Sequence, residues 1–190
     1  AGGALAAHLL AEFEAGATIL VDPIKDSRID EAQMAAELAL GAILRNYRFE
    51  RFFTKPKPDK APALEGLSLV VPKPAAAEKV MHRLQAVANG VALARDLTNE
   101  PPNELYPESF AARAKALTKL GVKVEALDEK AMAKLGLNAL LSVGKGSAKP
   151  PRLLVLQYNG APAKKGDGPL AFVGKGVCFD SGGLCIKRSG

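Results

Sequence analysis

The sequence predicts an α/β fold, in which helices pack against sheets in layers. Short apolar runs bounded by Gly, Pro or Asp, such as 17–21 and 67–71, have the length of strands. Longer stretches such as 30–47 and 80–94 repeat apolar residues every three or four positions, which is the period of a helix. Because the two patterns alternate along the chain, we expect both kinds of element in each part of the protein.

The composition is that of a globular protein. Of the 190 residues, 48% are apolar and 24% are charged, and both values are ordinary. No apolar run approaches the roughly 18 residues that a membrane span needs, and no signal-peptide pattern is visible. Two cysteines give no disulfide framework, so we expect a cytoplasmic protein without a membrane partner. The net charge of +6 is spread along the chain and is weak evidence for a nucleic-acid partner.

The first part of the chain alternates between helix and strand. A helix is expected over 4–14, with three apolar residues on one face: Leu5, Leu9 and Phe13. Asp30 is the expected N-cap of a second helix, which continues to about Tyr47. Strands are expected at 17–21 and 67–71.

The segment 45–60 allows two interpretations. It holds six basic residues and four aromatic ones: Tyr47, Phe49, Phe52 and Phe53. In the first, the segment belongs to a DNA- or nucleotide-binding module, because aromatic side chains can stack on bases while basic side chains bind phosphates. Alternatively, the segment is a helix end followed by a Pro-spaced connection whose aromatics pack on the core. We prefer this second interpretation, because a stacking platform needs a defined sheet or groove.

A boundary is expected at 73–77, followed by a long helix that joins two domains. Its apolar stripe recurs at four- and three-residue steps: Val80, Leu84, Val87, Val91 and Ala94. It must stop near Thr98, because the Asn-Glu-Pro-Pro run that follows cannot continue a helix. Further helices are expected from Pro107 to the C-terminal glycine Gly121 and after Asp128. Three later runs have strand character: 122–127, 152–158 and 170–173.

The stretch 170–187 carries the densest chemistry of the chain. Its apolar start predicts a buried strand, and glycines follow where the backbone must bend or let a ligand approach. Lys175, Asp180 and Lys187, five and then seven residues apart, would lie just past the carboxyl end of that strand. Ligands of open α/β sheets bind at such strand ends.

Several common motifs do not account for this stretch. Neither Gly-Lys-Gly run fits the phosphate-binding P-loop, and Phe179 takes the place of the third glycine in a dinucleotide fingerprint. A serine hydrolase would need a different frame around Ser181 and a histidine. A zinc site at Cys178 and Cys185 lacks the close spacing of such ligands.

Two interpretations of the stretch remain open from the residues alone. In the first, Asp180 supplies carboxylate oxygens to hard cations and can bridge two of them. Lys175 would act as a ligand only when neutral, and Lys187 would stay charged and polarise a substrate oxygen. In the second, the stretch is a structural glycine turn with solvated lysines.

The stretch closely resembles the start of the active site in the leucyl aminopeptidase family, the cytosol aminopeptidases, which are dinuclear metallopeptidases. It shares Val-Gly-Lys-Gly at 173–176, Phe-Asp-Ser-Gly-Gly-Leu at 179–184, and Lys187. The segments 94–103, 141–147 and 151–153 are similar to further stretches of the family, and 47–50 has a weaker likeness, so the resemblance covers most of residues 30–190.

The resemblance implies a mechanism and a set of partners. Two divalent ions (manganese, zinc or magnesium) would activate a water that attacks the first peptide bond of a peptide, with a leucine-type preference. Lys175 would donate its amine to one ion, Asp180 would bridge both, and Lys187 would stabilise the tetrahedral oxyanion. The family also implies a bound bicarbonate and a homohexamer. Its further ligands and its bicarbonate-holding arginine would lie beyond Gly190.

We expect the chain to be an incomplete portion of such an enzyme. Residues 1–72 would be the later part of an N-terminal α/β domain, 73–98 a linking helix, and 99–190 the first part of a mixed-sheet catalytic domain. Two ligands, Lys175 and Asp180, cannot by themselves order a dinuclear site. The 190-residue chain alone is therefore expected to have no aminopeptidase activity.

Overall fold

The computed structural model describes residues 1–55, 63–160 and 168–179. Contacts divide the chain into two units, Ala1–Asn99 and Glu100–Gly190. Each unit combines helices with a small sheet, so the prediction of an α/β fold is confirmed. In the described ranges, no helix is both long and apolar enough to cross a membrane. The predicted domain bounds at 72 and 98 stay predictions.

The first unit is built around a parallel strand pair. Its elements in chain order are α1 (Gly2–Ala11), β1 (Gly16–Leu20), α2 (Glu31–Asn46), β2 (Gly66–Val70) and α3 (Pro74–Asn99). The register of β1 and β2 runs from Gly16 opposite Gly66 to Leu20 opposite Val70. Parallel neighbours need a crossover, and α2 provides it. Asp30 caps α2 as predicted, because its carboxylate accepts a hydrogen bond of 2.8 Å from the Gln33 amide.

The helices of this unit meet through small residues. Buried alanines occupy the packed faces of the first two helices: Ala6, Ala32, Ala35, Ala36 and Ala42. The predicted helix over 4–14 is too long at its end, because α1 stops at Ala11. Phe13 then takes a left-handed backbone conformation with φ 60°, and its side chain is 61% exposed instead of facing inward. Residues 13–15 form the turn that leads into β1.

The long helix α3 packs against α2, but not entirely with its predicted face. Ala88 is buried against the neighbouring helix, whereas Val87 is half exposed and Ala94 is exposed. The buried face is therefore centred one position from the predicted stripe. A small side chain at the contact lets the two helices approach closely. The spacing of apolar residues along α3 does not show where such a contact lies.

The second unit contains an antiparallel strand pair. Its elements are α4 (Pro107–Ala114), a 3₁₀ helix (Lys115–Leu120), β3 (Lys123–Leu127), α5 (Glu129–Lys134), α6 (Asn138–Gly144) and β4 (Leu153–Gln157). Lys123 pairs with Gln157, and Leu127 with Leu153. Gly121 ends the 3₁₀ helix with φ 81°, and Asp128 caps α5 through the Ala131 amide, so both predicted helix boundaries are confirmed.

The predicted strand at 170–173 is wrong. No strand of the described residues pairs with it, and its large side chains are solvated: Leu170 is 83%, Phe172 90% and Val173 100% exposed. An apolar run acquires strand structure through hydrogen bonds to a neighbouring strand, and the part of the chain that the structure describes offers it no such strand. Lys175 consequently does not follow the carboxyl end of a strand.

Candidate active site

The predicted active-site lysine lies in an irregular segment of the second unit. We call residues 174–178 the Lys175 segment. Lys175 itself is exposed, and its backbone carbonyl accepts a hydrogen bond of 3.1 Å from the Val177 amide. A bond between residues two apart closes a tight turn around Gly176. The turn presents the lysine side chain to solvent, where a ligand can reach it.

Cys178 is the half-buried residue of the Lys175 segment. Every residue from 170 to 179 is exposed except Cys178, which is half-buried. Its thiol approaches the Gly176 carbonyl at 3.7 Å, a weak donor contact. Burial raises the pKa of the Cys178 thiol above its ordinary 9.0, so the thiol stays protonated near neutral pH. A protonated, half-buried thiol is a packing group rather than a reactive nucleophile.

The segment passes near helix α4. A Cβ placed on Gly176 would stand 3.7 Å from the ring edge of Phe110, an ordinary van der Waals distance. Phe110 is half-buried and belongs to the first turns of α4. Sixty-six positions separate the two residues in the sequence, and no local pattern indicated that they meet.

The beginning of α4 is fixed by a dense set of polar contacts. Pro107 occupies the first turn, where its missing N–H costs nothing. The Ser109 hydroxyl accepts a hydrogen bond of 2.9 Å from the Tyr106 amide and donates one of 2.8 Å to the Glu104 carbonyl. The Lys149 ammonium lies 3.9 Å from the centre of the Tyr106 ring, within the range of a cation–π contact. The helix is therefore a firm support for what packs on it.

A buried ion pair holds the other half of α4. Arg113 donates a hydrogen bond of 2.8 Å to a Glu100 carboxylate oxygen, and the Glu100 side chain is only 2% exposed. A buried carboxylate of this kind requires charged or hydrogen-bonded partners. In the sequence, Glu100 stood out only as part of the helix-ending run and of the family resemblance. Its burial had no sequence signal, because carboxylates are ordinarily solvated.

The described residues contain one of the three predicted site residues. Asp180 and Lys187 lie outside them, so the predicted juxtaposition of the three side chains stays a prediction. Among the described side chains, no three of His, Cys, Asp or Glu come together as a metal site. The donor chemistry nevertheless fits divalent ions, because a solvent-accessible amine and a carboxylate five residues on are both metal donors.

The aromatic and basic segment forms a different kind of cluster, within the first unit. The Tyr47 hydroxyl donates a hydrogen bond of 2.7 Å to Asp96, and Asn99 donates one of 3.2 Å to the same hydroxyl. The Arg95 guanidinium lies over the Tyr47 ring at 5.3 Å and donates to the Leu44 carbonyl. Burial, reinforced by the bond to Asp96, raises the pKa of Tyr47.

This cluster ties the end of α2 to α3, so Tyr47 packs as the interpretation of 45–60 as a packed connection predicts. Phe52 and Phe53 are exposed and do not pack on the core as that interpretation expects. Phe49 and Phe52 contact each other with ring centroids 5.8 Å apart, and Phe52 and Phe53 are nearly half exposed. The rest of the predicted basic segment, 56–62, lies outside the described residues. Tyr47 is engaged with α3 and is not presented as a base-stacking surface.

Comparison with known proteins identifies the family. The catalytic-domain model of the cytosol aminopeptidase family matches residues 92–190, just over half of the chain. The chain belongs to this family. A probable cytosol aminopeptidase of Bradyrhizobium sp. strain BTAi1 is 52% identical over 189 residues, or 100% of this chain and 37% of that protein. A probable cytosol aminopeptidase of Afipia carboxidovorans is 56% identical over 156 residues, or 82% of this chain and 31% of that protein.

Two solved structures are similar to most of the chain. A mutant of tomato leucine aminopeptidase matches with a TM-score of 0.68 and 25% identity, over 82% of this chain and 31% of that one. A bottromycin maturation enzyme in complex with Mn matches with a TM-score of 0.65 and 25% identity, over 84% of this chain and 34% of that one. The chain thus spans about a third of the length of the relatives it matches.

Proposed function

We propose that this chain is part of a metal-dependent exopeptidase that releases N-terminal residues, with a leucine-type preference, from peptides. The observation that carries the proposal is the placement of Lys175, Asp180 and Lys187 inside the residues that the catalytic-domain model matches. The exposed position of Lys175 supports it, because the side chain is accessible to an ion and a substrate. The manganese named with the bottromycin enzyme favours manganese among the candidate ions.

Each of the three residues has a distinct role in the proposed mechanism. Lys175, as a neutral amine, and Asp180, as a shared carboxylate, would hold two divalent ions. Such ions polarise a carbonyl and supply a hydroxide-like nucleophile at neutral pH. Lys187 would remain charged and orient the scissile carbonyl oxygen, and its ammonium would neutralise the negative charge that develops there.

The proposal includes the surroundings of the site. Zinc or magnesium could replace manganese, and a bicarbonate would be held by an arginine outside this chain. We also propose a cytoplasmic homohexamer as the working form. Because Lys175 and Asp180 are two ligands of a larger set, the 190-residue chain alone should be inactive.

The test compares two lysines that lie in identical Gly-Lys-Gly frames, Lys175 and Lys145. In the full-length enzyme, Lys175→Ala should lose bound manganese and the hydrolysis of leucine amide. Lys145→Ala should retain both, since Lys145 follows α6 and is not a proposed ligand. Asp180→Ala should behave like Lys175→Ala. Normal metal content and turnover in Asp180→Ala would refute the assignment.

A further inference from the structure

We infer that the Tyr47 hydroxyl is a clasp that holds the last turn of α3, residues 96–99, in its helical form. The hydroxyl donates a hydrogen bond of 2.7 Å to the Asp96 carboxylate and accepts one of 3.2 Å from the Asn99 side chain. One side chain at the end of α2 thus engages both the first and the last residue of that turn. The clasp is a conformational device, because it favours the closed turn over an open one.

The last turn of α3 has a weak backbone ending of its own. The common C-terminal caps of helices close with the amides of the two residues that follow the C-cap. Because α3 ends at Asn99, these two residues are Pro101 and Pro102, which have no N–H. Helix ends fray most easily, so a contact from another element stabilises this turn more than it would an interior turn.

Asp96 would be unfavourable at this place without a partner. The carbonyl end of a helix carries a partial negative charge, which disfavours a carboxylate in the last turn. The Tyr47 hydroxyl supplies the partner, because it donates to the carboxylate. Burial, followed by the bond to Asp96, raises the pKa of Tyr47, so the hydroxyl keeps the donated proton at neutral pH.

The ring of Tyr47 is held by contacts that do not involve its hydroxyl. The Arg95 guanidinium lies 5.3 Å from the centre of the ring and donates a hydrogen bond of 2.6 Å to the Leu44 carbonyl of α2. Loss of the hydroxyl alone therefore leaves the ring and the end of α2 in place beside α3. The effect of the clasp can thus be separated from the packing of the two helices.

The turn lies where the chain leaves the first unit. Asn99 is the last residue of that unit, and Glu100 is the first residue of the second. Four residues span about 6 Å as a helix and up to about 13 Å when extended. Opening of the clasp would therefore replace a direct connection between the units by a short segment of variable length.

Hydrogen exchange of the full-length protein measures the opening of this turn, with fragmentation in the mass spectrometer to resolve single amides. Tyr47→Phe removes the hydroxyl and keeps the ring beside Arg95. Thr98→Val is the matched control, because it removes a hydroxyl of the same turn whose hydrogen bond, 2.8 Å to the Ala94 carbonyl, stays within α3. The amides around Ala88, in the middle of α3, report on the helix as a whole.

In Tyr47→Phe, the amides of 96–99 should exchange about tenfold faster or more, because a hydrogen bond to a charged acceptor is lost. The amides around Ala88 should keep their rates, and Thr98→Val should exchange like the unsubstituted protein. Tyr47→Phe combined with Asp96→Ala should exchange no faster than the faster single variant, since both substitutions remove the same bond.

Three results would overturn the inference. The first is unchanged exchange of 96–99 in Tyr47→Phe. The second is an equal acceleration around Ala88 or in Thr98→Val, which would show a general loss of packing or of hydroxyl bonding. The third is a double variant in which the two single effects add, which would show that Tyr47 and Asp96 act separately. None of these readouts depends on the proposed peptidase activity.

Discussion

The crossing of α1 and α2 offers a stringent test of the described packing. A Cβ placed on Gly41 would stand 2.8 Å from the Gly3 amide nitrogen and 3.1 Å from two backbone atoms of Gly2. These are backbone atoms, so no flexible side chain can move aside to relieve the collision. Gly41→Ala must therefore displace one helix relative to the other.

The change in unfolding free energy follows from two opposed contributions. Overpacking of a well-packed site costs about 1–3 kcal/mol. Replacing glycine by alanine inside a helix contributes about 0.5–1 kcal/mol of stability. The matched control is Gly90→Ala in α3, where a Cβ would meet nothing within 4 Å and only the favourable term applies. The free energies of unfolding of the two variants should thus differ by about 1–3 kcal/mol.

Hydrogen exchange of the most protected α2 amides in the full-length protein measures this difference. A gap of about 1–3 kcal/mol corresponds to roughly 5–150-fold in exchange rate. Exchange should be faster in Gly41→Ala than in Gly90→Ala, and slower in Gly90→Ala than in the unsubstituted protein. Equal protection in the two variants would show that the helices do not meet at Gly41 as described.

Three further predictions concern single side chains. Because the folded-state pKa of Tyr47 is raised above 10.0, the stability that Tyr47 contributes is fully present below pH 10 and declines above it. Tyr47→Phe should therefore flatten the alkaline decline in melting temperature. An unchanged decline would refute the raised pKa of Tyr47. Arg113→Met should cost about 1.5–3 kcal/mol of unfolding free energy, because it removes a charged hydrogen bond to buried Glu100. Glu50→Gln, at an exposed 3.9 Å pair, should cost less than about 1 kcal/mol, and comparable urea midpoints for the two variants would contradict this ranking. Lys187→Ala should lower kcat by about 10²–10³ with normal metal content, and a change confined to KM would argue against an oxyanion role.

Local chemical signals predicted element boundaries well. Asp30 and Asp128 were identified as N-caps because a carboxylate can accept from the amide three residues on, a relation contained within one turn. Gly121 was identified as a helix end because a left-handed residue there favours glycine. The strand at 170–173 was mispredicted because a strand depends on a distant partner, and an apolar run does not show whether that partner is there.

For the candidate site, the sequence predicts donor residues but not the side chains that pack near them. The motif of Lys175, Asp180 and Lys187 contains donor types and spacings that resemble one family, and the match of its catalytic-domain model to 92–190 confirms that resemblance. The nearness of Phe110 to Gly176 has no counterpart in the sequence. Phenylalanine in an amphipathic helix predicts burial, but it does not name the residue on which the ring packs.

The sequence by itself determined the α/β class, the helix boundaries at Asp30, Gly121 and Asp128, and the family, since each depends on residues close together in the chain or on a contiguous motif. Only the tertiary structure decided that Ala88 rather than Val87 is buried in α3. It also decided that the backbone of α1 comes close to Gly41, and that Glu100 is buried beside Arg113. Each of these outcomes depends on which surface a neighbouring element presents and how closely it approaches. Side-chain volume and burial are properties of that pairing, and periodicity along one segment does not contain them.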